Sequence, residues 1–304
     1  MADGERSIIG IDIGGTSVKV VLVEREGESV RVVARGASKP YARPSVEELK
    51  RAISETLGAA GFVPSGAPAG VCLPGILSDD GGTVVRAANL PGIEGSRIGD
   101  LLPSPVGLRG VVSDAIAAAR GYWLKDRRPG RLFALSLGTG VGAAVLDEGV
   151  PVRITHGGAG HFGQMDVGFH PLPDRAGAAW SDRPVGPDGG AGSLEAYIGA
   201  AALRERFGPD PIPGLLAAEA SGSMPDPAFA ALATALRIAH AVYGPDEIVL
   251  VGGLGAALAP KLSAMKRLVD VDLTSVARVD YRLSATDSPW LAAEGAAVTA
   301  SECR

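Results

Sequence analysis

A strand–turn–strand unit occurs twice in this chain, and that repeat constrains the fold more than any other feature. Ile8–Ile13 and Val18–Val23 are runs rich in β-branched residues joined through Gly14-Gly15-Thr16, the pattern of two strands and a glycine turn. Leu132–Leu137 and Val141–Leu146, joined by Gly138-Thr139-Gly140, repeat it. Thr16 and Thr139 stand 123 residues apart, and the same offset carries Glu24 onto Asp147, an acidic residue closing each second strand. Solenoid repeats recur every ~20–50 residues, so a single duplication at this distance predicts two related lobes. A chain of 304 residues has room for both, each with its own core.

The remaining pattern is α/β. Val30–Ala34 predicts a third strand. Ser45–Ala60 predicts a helix, with Val46, Leu49, Ile53 and Leu57 at helical spacing, Ser45 as N-cap and Glu48 completing a capping box. Gly70–Leu73 and Leu108–Val112 predict short buried strands, the second leading through Ser113-Asp114 into an Ala-rich helix ending near Leu124. Residues 149–192 are crowded with Gly, Pro, Asp and His and lack periodicity, as functional or mobile loops of that length do. Helices are predicted at Leu194–Phe207, Leu215–Ala220 and Ala228–Val242. Glu247–Val251 predicts a strand running into Gly252-Gly253-Leu254-Gly255 and another helix. Arg278–Leu283 predicts a strand and Trp290–Ala300 a closing helix.

Composition removes several classes of function. The 43 Gly and 22 Pro fall short of the roughly 25–30% that marks low complexity, so they signal tight turns in an ordered chain. A net charge of −5, with Arg127-Arg128 as the single compact basic spot, argues against a nucleic-acid surface. Two distant cysteines, Cys72 and Cys303, exclude a disulfide framework. The acidic start, Met1–Arg6, does not resemble a signal peptide, and no apolar run reaches the ~18–20 residues of a membrane span. The expectation is a cytoplasmic protein without a membrane or nucleic-acid partner.

Three Gly-rich turns follow three apolar strands, at Gly14-Gly15-Thr16, Gly138-Thr139-Gly140 and Gly252-Gly253-Leu254-Gly255. Glycine lets the backbone approach a ligand closely, so that successive N–H groups can point at phosphate oxygens. No Gly-x-x-x-x-Gly-Lys-Ser/Thr occurs, which excludes a P-loop. Gly138-Thr139-Gly140 opens a strand rather than a helix, and Gly253-Leu254-Gly255 lacks the third Gly of a dinucleotide turn because Leu258 stands there. On its own, Asp114 reads as an N-cap of the Ala-rich helix, and Asp12 as a hairpin residue satisfying turn amides.

Asp12-Ile13-Gly14-Gly15-Thr16-Ser17-Val18-Lys19, Leu137-Gly138-Thr139-Gly140-Val141-Gly142 and Ile248-Val249-Leu250-Val251-Gly252-Gly253 resemble the phosphate-1, phosphate-2 and adenosine motifs of actin-like sugar-kinase ATPases. Among these the chain resembles the ROK (repressor, open reading frame, kinase) family. Further matches are Leu73-Pro74-Gly75, Ala88-Asn89-Leu90-Pro91-Gly92, Ser113-Asp114-Ala115, Gly158-Ala159-Gly160, Ser193-Leu194-Glu195-Ala196-Tyr197 and Gly295-Ala296-Ala297. The resemblance implies a two-lobed actin-like fold, each lobe a ribonuclease-H-like mixed sheet. Residues 1–112 with the closing helix 290–304 would form the smaller lobe and 113–289 the larger.

It also implies ATP-dependent phosphoryl transfer to a sugar hydroxyl, with Asp114 as general base and Asp12 holding Mg²⁺ through water. Gly14, Gly15, Thr16, Lys19, Gly138, Thr139, Gly140, Gly252 and Gly253 would serve the nucleotide. Gly75, Asn89, Ser113, Asp114, His161, Gln164 and Glu195 would face the sugar or polyol. A homodimer fits the resemblance as well. A second expectation is a non-catalytic sugar-binding or regulatory relative, here without a DNA-binding domain because the first strand begins by Ser7.

The chain departs from the family pattern in two places. Hexose-binding members carry Asn-Asp at the base and Glu-x-Gly-His after Gly-Ala-Gly, where this chain has Ser113-Asp114 and His161-Phe162-Gly163-Gln164. Family cysteines that bind zinc are replaced by Gly186, Asp188 and Ser193, and the histidine ligand by Gln164, so no zinc site is expected. The spacings of His156, His161 and His170 fit no helix-face metal pair. Phe162 and Trp180 are candidates to wall a pocket or simply to pack.

Overall fold

β1 (Ser7–Ile13) is apolar on both faces, and in the computed structural model it sits at the centre of a five-stranded sheet. The structure describes residues 7–26, 29–62, 67–78, 80–126, 129–153, 160–168, 183–187, 189–220, 225–273 and 280–302. β1 pairs antiparallel with β2 (Val18–Glu26), which pairs with β3 (Ser29–Ala37). On its other side β1 pairs parallel with β4 (Pro68–Leu73), and β4 pairs parallel with β7 (Gly107–Ser113). The order is β3-β2-β1-β4-β7, with a small hairpin of β5 (Ile76–Leu77) and β6 (Val84–Arg86) set apart.

Side-chain alternation divides β1 between two cores. Ile9, Ile11 and Ile13 join Leu49, Ile53 and Leu57 of α1 (Val46–Ala59). Ile8 joins Ala293, Ala297 and Ala300 of the closing helix α9 (Leu291–Glu302) on the opposite face. Full burial of side chains such as these contributes roughly 1.5–3 kcal/mol each. The start of α1 is the expected one: Ser45 and Glu48 form a reciprocal capping box.

α9 rests on the sheet almost backbone to backbone. A Cβ at Gly10 would lie 1.9 Å from the Ala293 carbonyl oxygen, and one at Gly70 1.8 Å from that of Ala296. The same holds between α9 and α2 (Asp114–Asp126): Gly121 approaches the Leu291 oxygen and Gly295 the Ala117 oxygen, at 2.1 and 1.8 Å from a built Cβ. This close packing joins α2 to the first compact unit (residues 1–129, 149–160 and 289–304), so the chain divides after α2 and not at the expected residue 112.

The second unit (residues 130–148 and 161–288) repeats the plan. β8 (Arg131–Leu137) pairs antiparallel with β9 (Val141–Asp147) and parallel with β11 (Glu247–Val251), which pairs parallel with β12 (Arg282–Ala285). The two-residue β10 (Val150–Pro151) falls in the 149–160 segment of the first unit, and within the second unit the order β9-β8-β11-β12 matches β2-β1-β4-β7. The duplication is not perfectly in step: Val18 and Val141 keep the 123-residue offset, whereas Ile13 and Leu137, each ending its first strand, are 124 apart. The first turn has four residues, 14–17, and the second three, 138–140.

Helices α3 (Leu194–Ile198), α4 (Ala200–Phe207), α5 (Pro211–Ala217), α6 (Pro227–Tyr243), α7 (Gly252–Ala257) and α8 (Leu262–Asp270) complete this unit. The single helix expected over Leu194–Phe207 is two, because Gly199 is extended with ψ near 154°. The predicted helix Leu215–Ala220 lies earlier, starting at Pro211, whose ring suits a first helical turn. The last strand begins at Arg282 rather than Arg278, residues 274–279 lying outside the described set. Among the described residues no helix is long and apolar enough to cross a membrane.

These contacts give one chemical change two opposite outcomes. Gly70→Ala is expected to destabilise the protein by at least about 2 kcal/mol, because backbone must move to admit the methyl. Gly58→Ala, in α1 with nothing within 4 Å of the new methyl, is expected to stabilise by up to about 1 kcal/mol. Urea denaturation of both variants measures the pair, and equal effects would contradict the packing described.

Candidate active site

The three parallel strands of the first sheet end side by side, and their register places Asp12 opposite Cys72 and Cys72 opposite Val112. Asp12 is even-numbered like Ile8 and Gly10, so alternation points its carboxylate to the face covered by α9. It is 7% exposed. Lys19 stands directly across the hairpin, with Nζ 3.4 Å from Asp12 Oδ2. The Cys72 thiol lies 3.7 Å from Asp12 Oδ1 and 3.4 Å from the Ala292 carbonyl, so one proton serves two acceptors. Burial pushes the Asp12 carboxyl above its ordinary range, and the Lys19 charge opposes that shift. Lys19 is thus paired with Asp12 across the hairpin.

Asp114 follows β7 as the first residue of α2. Ser113, not Asp114, takes the capping position, its hydroxyl accepting from the Ile116 N–H at 3.4 Å. The Asp114 carboxylate accepts from the Ala115 N–H at 2.8 Å. Its pKa is pushed up to about 6, first by burial and then by the Asp12 charge, while the Ala115 N–H works the other way. The Cys72 thiol, buried beside both carboxylates, is pushed well up. Two carboxylates on β1 and just past β7, with β4 between them and the charge of Asp12 raising the pKa of Asp114, mark a site where charge is held at a cost in stability.

The first glycine turn sits beside this pair. Gly14 N–H donates to the Ser17 carbonyl at 3.0 Å, closing the turn. Among the described residues the N–H groups of Gly15, Thr16 and Ser17 have no protein acceptor. Thr16 is exposed, and Asn89 packs against Gly15, its Cβ 3.0 Å from where a Gly15 methyl would be. Gly75, at φ +136°, is exposed and faces the Arg86 carbonyl too closely to admit a side chain. Tyr41, which no sequence pattern singled out, bonds to this turn twice: its hydroxyl donates to the Gly14 carbonyl at 2.6 Å and its N–H to the Thr16 carbonyl at 2.8 Å.

In the second unit Gly138 N–H donates to Gly140 O at 3.1 Å, and Thr139 is exposed at the tip. Glu195, at the start of α3 and 9% exposed, accepts from the Val141 N–H at 3.0 Å and thereby braces this turn. Gly252, at φ +85°, lies against the Leu137 carbonyl and, with exposed Gly253, begins α7. His161 is exposed at the head of a 3₁₀ turn over residues 162–164, its carbonyl accepting from Gln164 N–H at 2.9 Å. Phe162 packs edge-on against Phe133 at 5.0 Å between centroids, which makes it a core contact.

The segment expected to replace a zinc module is joined by other means. Gln164 Oε1 and Ser193 Oγ both lie beside Gly190, and Gly186 N–H donates to Gly190 O at 2.9 Å. Val167 N–H donates to Gly192 O at 2.9 Å, and Arg183 pairs with Asp166 at 2.6 Å. Asp188, His156, His170, Trp180, Gly158 and Ala159 lie outside the described residues, as do Arg127 and Arg128.

The ROK family profile matches residues 8–300. Polyphosphate glucokinase of Mycobacterium tuberculosis is 27% identical over 196 residues, covering 60% of this chain and 67% of that protein. A putative N-acetylmannosamine kinase from Listeria monocytogenes superposes with a TM-score of 0.71 at 17% identity, covering 97% of this chain and 98% of the other. A ROK family glucokinase from Streptomyces griseus, solved with glucose and AMPPNP, gives 0.66 at 21% identity over 96% and 98%. The fold is that of the actin-like ROK kinases.

The bond from Glu195 to Val141 carries a prediction for stability. Glu195→Ala takes the acceptor from the half-buried Val141 N–H and is expected to lower unfolding free energy by about 1–3 kcal/mol. Glu195→Gln keeps an acceptor oxygen and should lose less than half of that. Equal losses in urea melts would show that the bond is not what holds the turn.

Proposed function

This chain belongs to the ROK family, and from that premise we propose that it transfers a phosphoryl group from ATP to a hydroxyl of a sugar or sugar-like polyol. The observation that carries the reading is Asp114, placed at a helix start beside Asp12 with a pKa near 6. At pH 7–8 such a carboxyl is mostly ionised and still basic enough to accept a hydroxyl proton as the oxygen attacks. Ser113 fixes the first turn of α2, so the carboxylate is presented by a rigid element. The unpartnered N–H groups of Gly15, Thr16 and Ser17 suit phosphate oxygens, and Thr16 and Thr139 add hydroxyls at the two turn tips. Gly252 and Gly253 leave bare backbone for the adenosine.

The residues fit Mg²⁺. Asp12 offers a hard oxygen donor, and among the described residues no group of three or more His, Cys, Asp or Glu side chains forms an all-protein cage. Mg²⁺ is commonly held by one or two carboxylates with waters and substrate phosphates. When bound it neutralises charge on the transferring phosphoryl group. Lys19 shares the Asp12 carboxylate and tempers its negative charge.

For the acceptor, His161, Gln164, Glu195, Asn89, Gly75 and Ser113 are the proposed contacts. The exchange of a glutamate for His161 removes a charged acceptor, and charge-assisted bonds are the stronger ones. The acceptor is therefore expected to differ from the plain hexose of the glucokinases. A coupled assay of ADP release across aldoses, amino sugars and polyols tests this, with polyphosphate as a second donor because the Mycobacterium relative is named for it. A panel in which no acceptor stimulates turnover would favour the binding-protein reading.

Asp114→Asn is expected to lower kcat by about 10²–10⁴ with ATP affinity unchanged within twofold, read by steady-state kinetics and calorimetry. In the native enzyme kcat/KM should fall below pH ~6 as the base is protonated, a limb absent from the variant. Stability runs the other way. The folded pKa lies above the unfolded 3.8, so the stability carried by this proton is complete below 3.8 and lost as pH rises through about 6. Without ligands, Asp114→Asn should melt higher than the native chain at pH 8, with the difference closing towards pH 4.

A further inference from the structure

We propose that Tyr41 is a positioning residue for phosphate binding, which aims the N–H groups of Gly15 and Ser17 out of the first glycine turn. The inference rests on the phosphoryl-transfer reading and extends it to a residue outside the glycine motif. Tyr41 lies four residues beyond β3, where the chain continues along the hairpin tip. Ser38 N–H donates to the Val18 carbonyl at 2.9 Å, and Ser38 Oγ accepts from the Val18 N–H at 3.0 Å. These bonds extend the β2–β3 pairing and deliver Tyr41 to the turn. Its ring packs against the core that holds Ile9, Ile11 and Ile13, so the hydroxyl is directed rather than free to swing.

The geometry then follows from the peptide bond. A trans peptide sets its C=O and the next N–H on opposite sides of the chain. Tyr41 Oη holds the Gly14 carbonyl at 2.6 Å, so the Gly15 N–H points away from the tyrosine. The Tyr41 N–H holds the Thr16 carbonyl at 2.8 Å, so the Ser17 N–H does the same. One residue thus orients two peptides, and neither N–H has an acceptor among the described residues. Unpaired backbone donors in a glycine turn are otherwise free to rotate towards water, and holding them in place lowers the ordering cost of binding an anion. Burial and the nearby Asp12 charge push the phenol above its ordinary pKa, so the hydroxyl remains a donor throughout the working range.

Tyr41→Phe keeps the ring and removes one of the two bonds, and calorimetry with MgATP, MgADP and adenosine reads the result. The expected outcome is about five- to tenfold weaker binding of MgATP and MgADP, the worth of one hydrogen bond, with adenosine affinity unchanged. Acceptor KM should stay within twofold while ATP KM rises, and the melting temperature should stay within a few degrees. Native-like affinity for MgATP in Tyr41→Phe overturns the proposal and leaves the kinase reading standing. Parallel weakening of adenosine, MgATP and thermal stability also overturns it, because that pattern is general loosening. If the native protein binds neither MgATP, MgADP nor inorganic tripolyphosphate, both this proposal and the phosphoryl-transfer reading fall.

Discussion

The absence of a Cβ at Gly10 and Gly70 is the constraint on which the first unit depends. It lets α9 settle with its carbonyls where side chains would otherwise stand, and Gly121 and Gly295 let α2 follow. The consequence is chemical as well as mechanical. A helix seated this low seals one face of the sheet, and Asp12 and Cys72 belong to that face at the ends of their strands. The buried Asp12 carboxylate loses hydration there, and its ion pair is with Lys19 across the hairpin. The glycine that lets α9 settle here, Gly10, stands two residues from Asp12 on the same face of β1, so the close packing and the burial that raises the Asp12 pKa share one strand.

That arrangement sets stability against function within one small region. Two like charges near one another in a covered place oppose folding at neutral pH, and the chain retains them where an uncharged pair would pack better. Local reinforcement offsets the strain. Ser113 and the Ala115 N–H fix the start of α2, Cys72 shares its thiol proton with Asp12, and Lys19 meets Asp12 in register. Each is a short-range contact that keeps a charged side chain from turning aside towards solvent.

Much of this was legible in the sequence, for reasons that are local. The paired hairpins, the capping box at Ser45 and the strands leading to Asp12 and Asp114 are encoded in neighbouring residues, where period and turn chemistry operate. The break at Gly199 was not, since a lone glycine in a helical pattern is usually tolerated. The boundary after α2 depended on which helix α2 packs against, a long-range fact carried by Gly121 and Gly295. Tyr41 was invisible for the same reason: an aromatic after a strand signals nothing until the pairing of β2 with β3 delivers it to the glycine turn. Glu195 was expected to face a sugar, and its bond to Val141 became apparent only when α3 and β9 were seen together.

The two hairpins share one plan and differ at their tips. Counted from the turn, the last pair is Ile13 with Val18 in one and Leu137 with Val141 in the other. The next pair is Asp12 with Lys19 in the first, and Ser136 with Gly142 in the second. At equivalent positions one hairpin carries an ion pair and the other carries no charge. The four-residue turn beside the ion pair leaves three N–H groups open, and the three-residue turn beside Ser136 is braced by Glu195 from within its own unit. A single extra residue and a single charged pair therefore separate two turns built on the same hairpin plan. The two sheets share their strand order although the tips differ, because strand order is set by the pairing of the buried strands and the tips lie outside it.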